Sequence, residues 1–285
     1  DFTLRFENGL LNSYVADGLE LLQEPLRPDF WRAPTDNDRG FKMQQKLGEW
    51  ETVGNSWVPT RVMITERGDQ QIKLTAEGKL AVGVPYSVNY TILADGELRV
   101  TALYAPEGKT GKPVMPRFGM RLMMPEGFET IAWYGCGPQE TYADRCDARV
   151  GIYGGTVAAQ YFDYSEPGET GNKVKVRWMA LLNSDNRGLL VAAHNKLLSM
   201  NALHFTSEDL MSAKHGFEMP QRKTVSLNID LMQMGVGGDD SWHAWPHEAF
   251  QIPADGIYTY TFSLYPFRGH VDKAGKIALD LGTRN

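Results

Sequence analysis

The chain has 285 residues, 42% of them hydrophobic and 22% charged, with a net charge of −6. That balance describes a globular protein with enough length to bury a sizeable core, and it excludes a disordered chain. No run of Lys or Arg exceeds two residues, which argues against nucleic-acid binding through a basic patch, and no apolar run has the length of a bilayer-spanning helix.

The chain opens Asp-Phe-Thr-Leu-Arg-Phe, with neither an initiator Met nor a signal-peptide pattern. This is what a piece excised from something longer would show. This end reports no compartment; the cytoplasm is the expectation, with the periplasm as the alternative. The first dense segment is Asp29-Phe-Trp-Arg-Ala-Pro-Thr-Asp-Asn-Asp-Arg-Gly40. Asp36, Asn37 and Asp38 are expected to hydrogen-bond their own backbone and set a tight turn, with Gly40 as a hinge for the residues after it. The spacing of Asp36, Asp38 and Gly40 bears only a faint likeness to a calcium loop, and the twelfth position from Asp36 is Leu47 rather than Glu, so calcium is disfavoured. Residues 41–50 predict a helix, since Met43, Leu47 and Trp50 share one face.

Strand patterning then dominates. Residues 58–65, 72–77, 86–94, 98–104, 117–124, 174–182, 188–193, 224–234 and 257–265 are short and rich in β-branched or aromatic residues. Asp95-Gly96 is a hairpin turn, and residues 183–186 with Gly188 make another. Ser207-Glu-Asp-Leu-Met has the pattern of a capped, short helix. Many strands with little helix predict an all-β, antiparallel two-sheet sandwich larger than an immunoglobulin domain. No linker or composition shift divides the chain, so residues 1–285 are expected to form one domain.

A second dense segment is Trp133-Tyr-Gly-Cys-Gly-Pro-Gln-Glu-Thr-Tyr-Ala-Asp-Arg145. Its Gly-x-Gly is followed by Pro138 with no helix pattern, so it is no dinucleotide fingerprint. Glu140, Asp144 and Arg145 are expected to form a buried ion pair that fixes a loop. A catalytic role for Glu140 has no support in the spacing. Cys136 and Cys146 are too few for a disulfide framework at this length. They are expected free and reduced, with a single bridge between them left open.

The third segment, Gly235-Val-Gly-Gly-Asp-Asp-Ser-Trp242, holds three glycines, two carboxylates and an indole. Its glycines imply either unusual dihedrals or close approach of another group. Flat apolar surface beside carboxylates is the chemistry of a sugar site. On composition alone the plainer expectation is favoured, that Trp242 plugs one end of the core. Asp239 and Asp240 are adjacent and point to opposite sides of an extended chain, which suits them poorly as a glycosidase pair. His243 and His247 have helical zinc spacing, but Pro246 lies between them and a metal site is rejected. Neither a Gly-x-Ser-x-Gly elbow nor a phosphate-cradling loop occurs.

Together these stretches resemble the C-terminal domain, or small-chain region, of large bacterial β-galactosidases of glycoside hydrolase family 2. Phe30 through Gly40, Trp133 through Arg145 and Met234 through Trp242 carry the match. Pro167-Gly-Glu-Thr-Gly171 followed by Arg177-Trp178 is a weaker fourth. The resemblance implies a supersandwich similar to galactose mutarotase folds. It also implies a partner, a TIM barrel that holds both catalytic glutamates, so that this chain has no catalytic residue and is inactive alone. Mg2+ and Na+ would belong to the full enzyme and lie mainly outside this chain. The substrate implied is a terminal β-galactoside such as lactose, and the full enzyme would be a homo-oligomer. By residue, Trp242 matches a tryptophan that completes the active-site mouth and stacks on the sugar. Gly40 matches the base of a mobile loop near the active site, although Phe41-Lys-Met-Gln departs from the family's usual continuation. The alternatives are a stand-alone carbohydrate-binding module and an aldose epimerase. No His–Glu pair poised for epimerisation is assignable.

Overall fold

The structure is a computed structural model that describes residues 1–240 and 242–284. Strands come first: β1 (Phe2–Glu7), β2 (Leu10–Ala16), β3 (Leu19–Glu20) and β4 (Glu24–Asp29). Two one-turn helices come next, α1 (Asp36–Gly40) and α2 (Met43–Leu47). After them lie β5 (Arg61–Arg67), β6 (Gln71–Lys79), β7 (Pro85–Leu93), β8 (Leu98–Tyr104), β9 (Arg117–Met124), β10 (Thr130–Gly137) and β11 (Arg149–Thr156). The chain continues through β12 (Lys173–Val176), β13 (Trp178–Leu182), β14 (Arg187–Ala193), β15 (Leu198–Leu203), α3 (Ser207–Ser212), β16 (Val225–Gln233), β17 (Tyr258–Arg268) and α4 (Ala274–Thr283).

A nine-stranded sheet runs in the order β11-β10-β13-β14-β17-β8-β7-β6-β5, and a five-stranded sheet runs β12-β15-β16-β9-β4. A small sheet, β1-β2-β3, completes the set. The all-β, antiparallel two-sheet expectation holds. The two large sheets face each other through aromatic side chains. Phe118 on β9 meets Tyr260 on β17 edge-to-face at 5.5 Å between centroids, and Tyr104 on β8 at 6.1 Å. Strand β8 shows the cause: Leu98, Val100, Ala102 and Tyr104 alternate with less buried residues and all point inward.

Strand β16 is buried on both faces. Leu227 and Ile229 enter the core, while Ser226, Asn228 and Asp230 face the other way, into a buried polar layer. The register slips between Asp230 and Met232, so that Asp230 pairs with Gly119 and Gln233 with Arg117. This bulge returns Gln233 to the polar face, which simple alternation would have denied it. Gly119 is required there, because a Cβ on it would lie 1.8 Å from Asp230 Oδ1.

Several expectations are corrected. Residues 174–182 are not one strand: Lys175 takes a left-handed conformation at φ 56°, β12 stays in the five-stranded sheet, and β13 joins the nine-stranded one. Residues 41–50 are not one helix either. Lys42 is left-handed at φ 66° and only residues 43–47 are α-helical, followed by a tighter turn over residues 48–51. Met43, Leu47 and Trp50 are nonetheless all buried, as their common face predicts. Residues 36–38 begin a helical turn instead of a hydrogen-bonded Asx turn, because Thr35 and Asp38 cap each other reciprocally. The short helix near residue 207 is present, capped by Thr206 and Asp209. The helix α4, unforeseen, lays Ala278 and Leu281 against Trp178 and Phe267 on the outer face of the large sheet. No helix among the described residues is long and apolar enough to cross a membrane.

Candidate functional site

The three dense sequence segments meet at one place, the glycine-rich stretch after β16. From one side Arg32, wholly buried, forms a two-pronged ion pair with Asp38 at 3.0 and 2.9 Å. Its remaining donors reach the carbonyls of Met234 and, at 2.8 Å, Gly235. Asn37 Nδ2 donates to the Val236 carbonyl at 2.8 Å. From the other side the Asp144 carboxylate accepts the Val236 amide at 3.0 Å and the Gly237 amide at 2.7 Å. The loop backbone is therefore clamped through its carbonyls by the first segment and through its amides by the second. Each bond has a charged partner or lies in a partly buried setting, where such bonds are strongest.

Gly235 is glycine for close approach, not for a left-handed backbone. A Cβ there would lie 2.5 Å from Asp144 Oδ2 and 2.9 Å from Phe250 Cβ. Beyond the clamp, Asp240 Oδ1 accepts the amides of Trp242 and His243, both at 2.8 Å, and of Ala244 at 3.2 Å. Those bonds hold the Asp240 carboxyl below its usual range. They turn the chain so that the Trp242 side chain stands in solvent, with 73% of its surface exposed. Trp242 thus does not plug the core. Asp239 points elsewhere and pairs with His247 at 2.7 Å. The two carboxylates act separately, and neither forms a catalytic pair with the other. Trp245 stacks on Phe41 at 4.7 Å, tying the Trp242 segment to the chain just past Gly40. Gly40 ends α1, and the left-handed residue at that junction is Lys42.

Glu140 and Arg145 pair at 2.8 Å as expected, but Asp144 is not part of that pair and Arg145 is largely exposed. Two adjacent side chains on a tight turn, bridged between Tyr142 and Arg145, face different ways, so Asp144 is free to turn towards the glycine loop. Glu140 also accepts from Gly171 N at 2.8 Å, from Thr170 Oγ1 at 3.1 Å and from the Tyr164 hydroxyl. Burial, and then the bond to Glu140, push the Tyr164 hydroxyl up.

A cleft of about 150 Å³ opens beside the clamp, lined by Asn37, Glu140, Tyr142, Tyr164, Glu166 and Val236. Its floor rests on the buried polar layer of the five-stranded sheet. There Arg117 meets Asp29 at 2.9 Å, Glu169 at 3.0 Å and Asp230 at 3.3 Å. Burial pushes Glu169 up while Arg117 and Arg32 pull it back. Among the described residues no three His, Cys, Asp or Glu side chains converge to hold a metal ion. The sequence had not singled out Arg32 or Arg117. A signal existed for Arg32, a charge set in the apolar run Phe-Trp-Arg-Ala, which forces a buried partner.

The family model of the β-galactosidase small chain matches residues 1–264. A β-galactosidase of Priestia megaterium (strain DSM 319 / IMG 1521) is 34% identical over 272 residues, covering 93% of this chain and 26% of that protein. The β-galactosidase BgaC of Bifidobacterium adolescentis is 32% identical over 255 residues, covering 88% and 24%. The chain thus spans about a quarter of the length of the curated relatives it matches. Among solved structures, the galactose 1-epimerase of Lactobacillus acidophilus NCFM superposes with a TM-score of 0.53 at 8% identity, over 94% of this chain and 92% of that one. At that identity the likeness speaks for the fold, a galactose mutarotase-like supersandwich, and not for the reaction.

Proposed function

Because the chain belongs to the β-galactosidase small-chain family, we propose that it works as the small-chain part of a β-galactosidase and completes the mouth of an active site whose catalytic barrel lies elsewhere. The observation that carries this is the clamp. Groups from two distant segments fix one glycine-rich loop, and that loop leads into an indole standing in solvent. A large exposed aromatic on a rigid support offers a flat apolar surface with few rotors to freeze, which suits the C–H face of a sugar. The substrate would be a terminal β-galactoside such as lactose. The barrel would supply both glutamates, and this chain alone would hydrolyse nothing. Mg2+ and Na+, where the full enzyme uses them, would be held by residues outside this chain.

The test is Trp242→Ala in the full-length enzyme. Stacking acts on ground and transition states alike, so KM for lactose should rise about tenfold, roughly 1.4 kcal/mol, with a smaller fall in kcat. An unmoved KM removes Trp242 from the site. A stand-alone binding module would instead hold galactose or lactose with sub-millimolar affinity on the isolated chain, where half a site binds more weakly.

A further inference from the structure

The thiols of Cys136 and Cys146 lie 3.3 Å apart and no disulfide joins them. Cys136 stands near the end of β10, fully buried, opposite Val150 in the β10–β11 ladder. Its carbonyl accepts the Trp133 indole N–H at 3.0 Å, so its backbone is fixed. Cys146 lies on the returning arm of the connection from β10 to β11, just past the Tyr142–Arg145 bridge that folds the chain back. It is half-buried and lines an open cleft together with Asp144, Ala148 and Phe250. One thiol therefore belongs to a half-buried residue that lines an open cleft, and the other to a buried one. An attacking and a resolving thiol need this arrangement.

We propose that Cys136 and Cys146 form an oxidisable dithiol site whose disulfide pins the segment carrying Glu140 and Asp144 to β10. The oxidant is a low-molecular-weight disulfide such as glutathione disulfide. Cys146 Sγ, as the thiolate, attacks one sulfur of that disulfide; the small S–S bond breaks, and its leaving thiolate takes up a proton. Cys136 Sγ then gives up its proton and attacks Cys146 Sγ, which expels the second small thiolate, protonated in turn. Two protein thiols become one disulfide and one small disulfide becomes two thiols. Closure shortens the sulfur separation by about 1.3 Å, a shift that the solvent-facing arm can take up. Burial, with Cys146 alongside, holds the Cys136 thiol up at about 11, against the pull of Lys175 and Arg177.

The consequence reaches the glycine-rich loop, because Asp144 holds the amides of Val236 and Gly237. With residues 136–146 closed into a covalent ring, local opening of that segment is restricted, and the two amides lose a route to solvent.

The experiment exposes the full-length protein to glutathione disulfide, quenches with an alkylating agent and maps peptides by mass spectrometry without reduction. The expected product is a linked peptide joining residues 136 and 146 with two hydrogens lost, while a Cys136→Ser variant keeps glutathione on Cys146. Hydrogen exchange at residues 139–146, and at Val236 and Gly237, should be several-fold slower in the oxidised protein. Alkylation of both cysteines after oxidant treatment, or a glutathione adduct that persists on Cys146 of the unsubstituted protein, overturns the dithiol site. A disulfide that leaves exchange at Val236 and Gly237 unchanged overturns the lock.

Discussion

Asp144 and Gly235 are in contact across 91 positions of sequence, and each explains the other: the carboxylate fits only because residue 235 has no side chain. The loop that presents Trp242 depends on this contact.

Each oxygen of Asp144 takes one loop amide, Oδ1 from Val236 and Oδ2 from Gly237. Asp144→Asn retains one acceptor and sets an amino group against the other amide. We expect a loss of about 1–3 kcal/mol in urea unfolding of the chain, since a partly buried donor is left unpaired. A loss within error of zero means that water replaces the carboxylate.

Gly235→Ala should cost a similar amount, about 1–3 kcal/mol, because the new methyl group overlaps Asp144 and Phe250. Its cost should shrink when Asp144 is already alanine. A double-mutant cycle on thermal or denaturant unfolding measures that coupling, and strict additivity would separate the two residues.

The polar layer under the cleft places three acids on one guanidinium. Arg117→Met should destabilise by about 3–5 kcal/mol, because Asp29 and Glu169 are then buried without their cation. Burial holds the Asp230 carboxyl well above its usual range against the pull of Arg117, with Asp29 and Glu169 adding to the push. Asp230→Asn should therefore lie within about 1 kcal/mol of the native protein at neutral pH. Equal damage from both substitutions would show that Asp230 is a working anion.

Lys173 is buried, with its ammonium over the Trp133 ring at 5.0 Å and donating to the Gly171 carbonyl at 2.8 Å. Burial pushes it down to about 8 from the ordinary 10.5, with Glu140 pulling the other way. Below about 8 both folded and unfolded chains carry the proton, and the folded state bears the cost of the buried charge. Between about 8 and 10.5 only the unfolded chain keeps it, so stability rises with pH across that window. Relative to Lys173→Met, the native protein should gain about 1–3 kcal/mol between about pH 7 and about pH 10 in urea unfolding. A difference that stays flat with pH places the Lys173 ammonium in the same state throughout.

Parts of this molecule can be read from local sequence. The inward row Leu98, Val100, Ala102 and Tyr104 comes from a period of two, and the Asp95-Gly96 turn from a glycine that takes φ +94°. Met43 and Leu47 share a face because helical spacing puts them there. These features depend on neighbours a few residues apart, and residue type alone settles them. The three dense segments also stand out by composition, and Trp242 can be picked from the chain.

Other features needed the folded chain. Helix α4 carries Gly275 and Gly282, which weaken its helical pattern, and it exists because Trp178 and Phe267 offer a surface to cover. The switch from β12 to β13 turns on the left-handed Lys175, which no local rule reserves for lysine. Asp144 was legible as a carboxylate near Arg145, yet its partners are amides about ninety residues away. By itself the sequence determined an all-β sandwich, its main turns, and which segments hold unusual chemistry, because periodicity and turn preference are local. Only the tertiary structure decided that those segments meet, that Gly235 serves close approach, and that Trp242 faces solvent. Such contacts are set by how the two sheets and their connections close over one another, and that closure is a property of the whole chain.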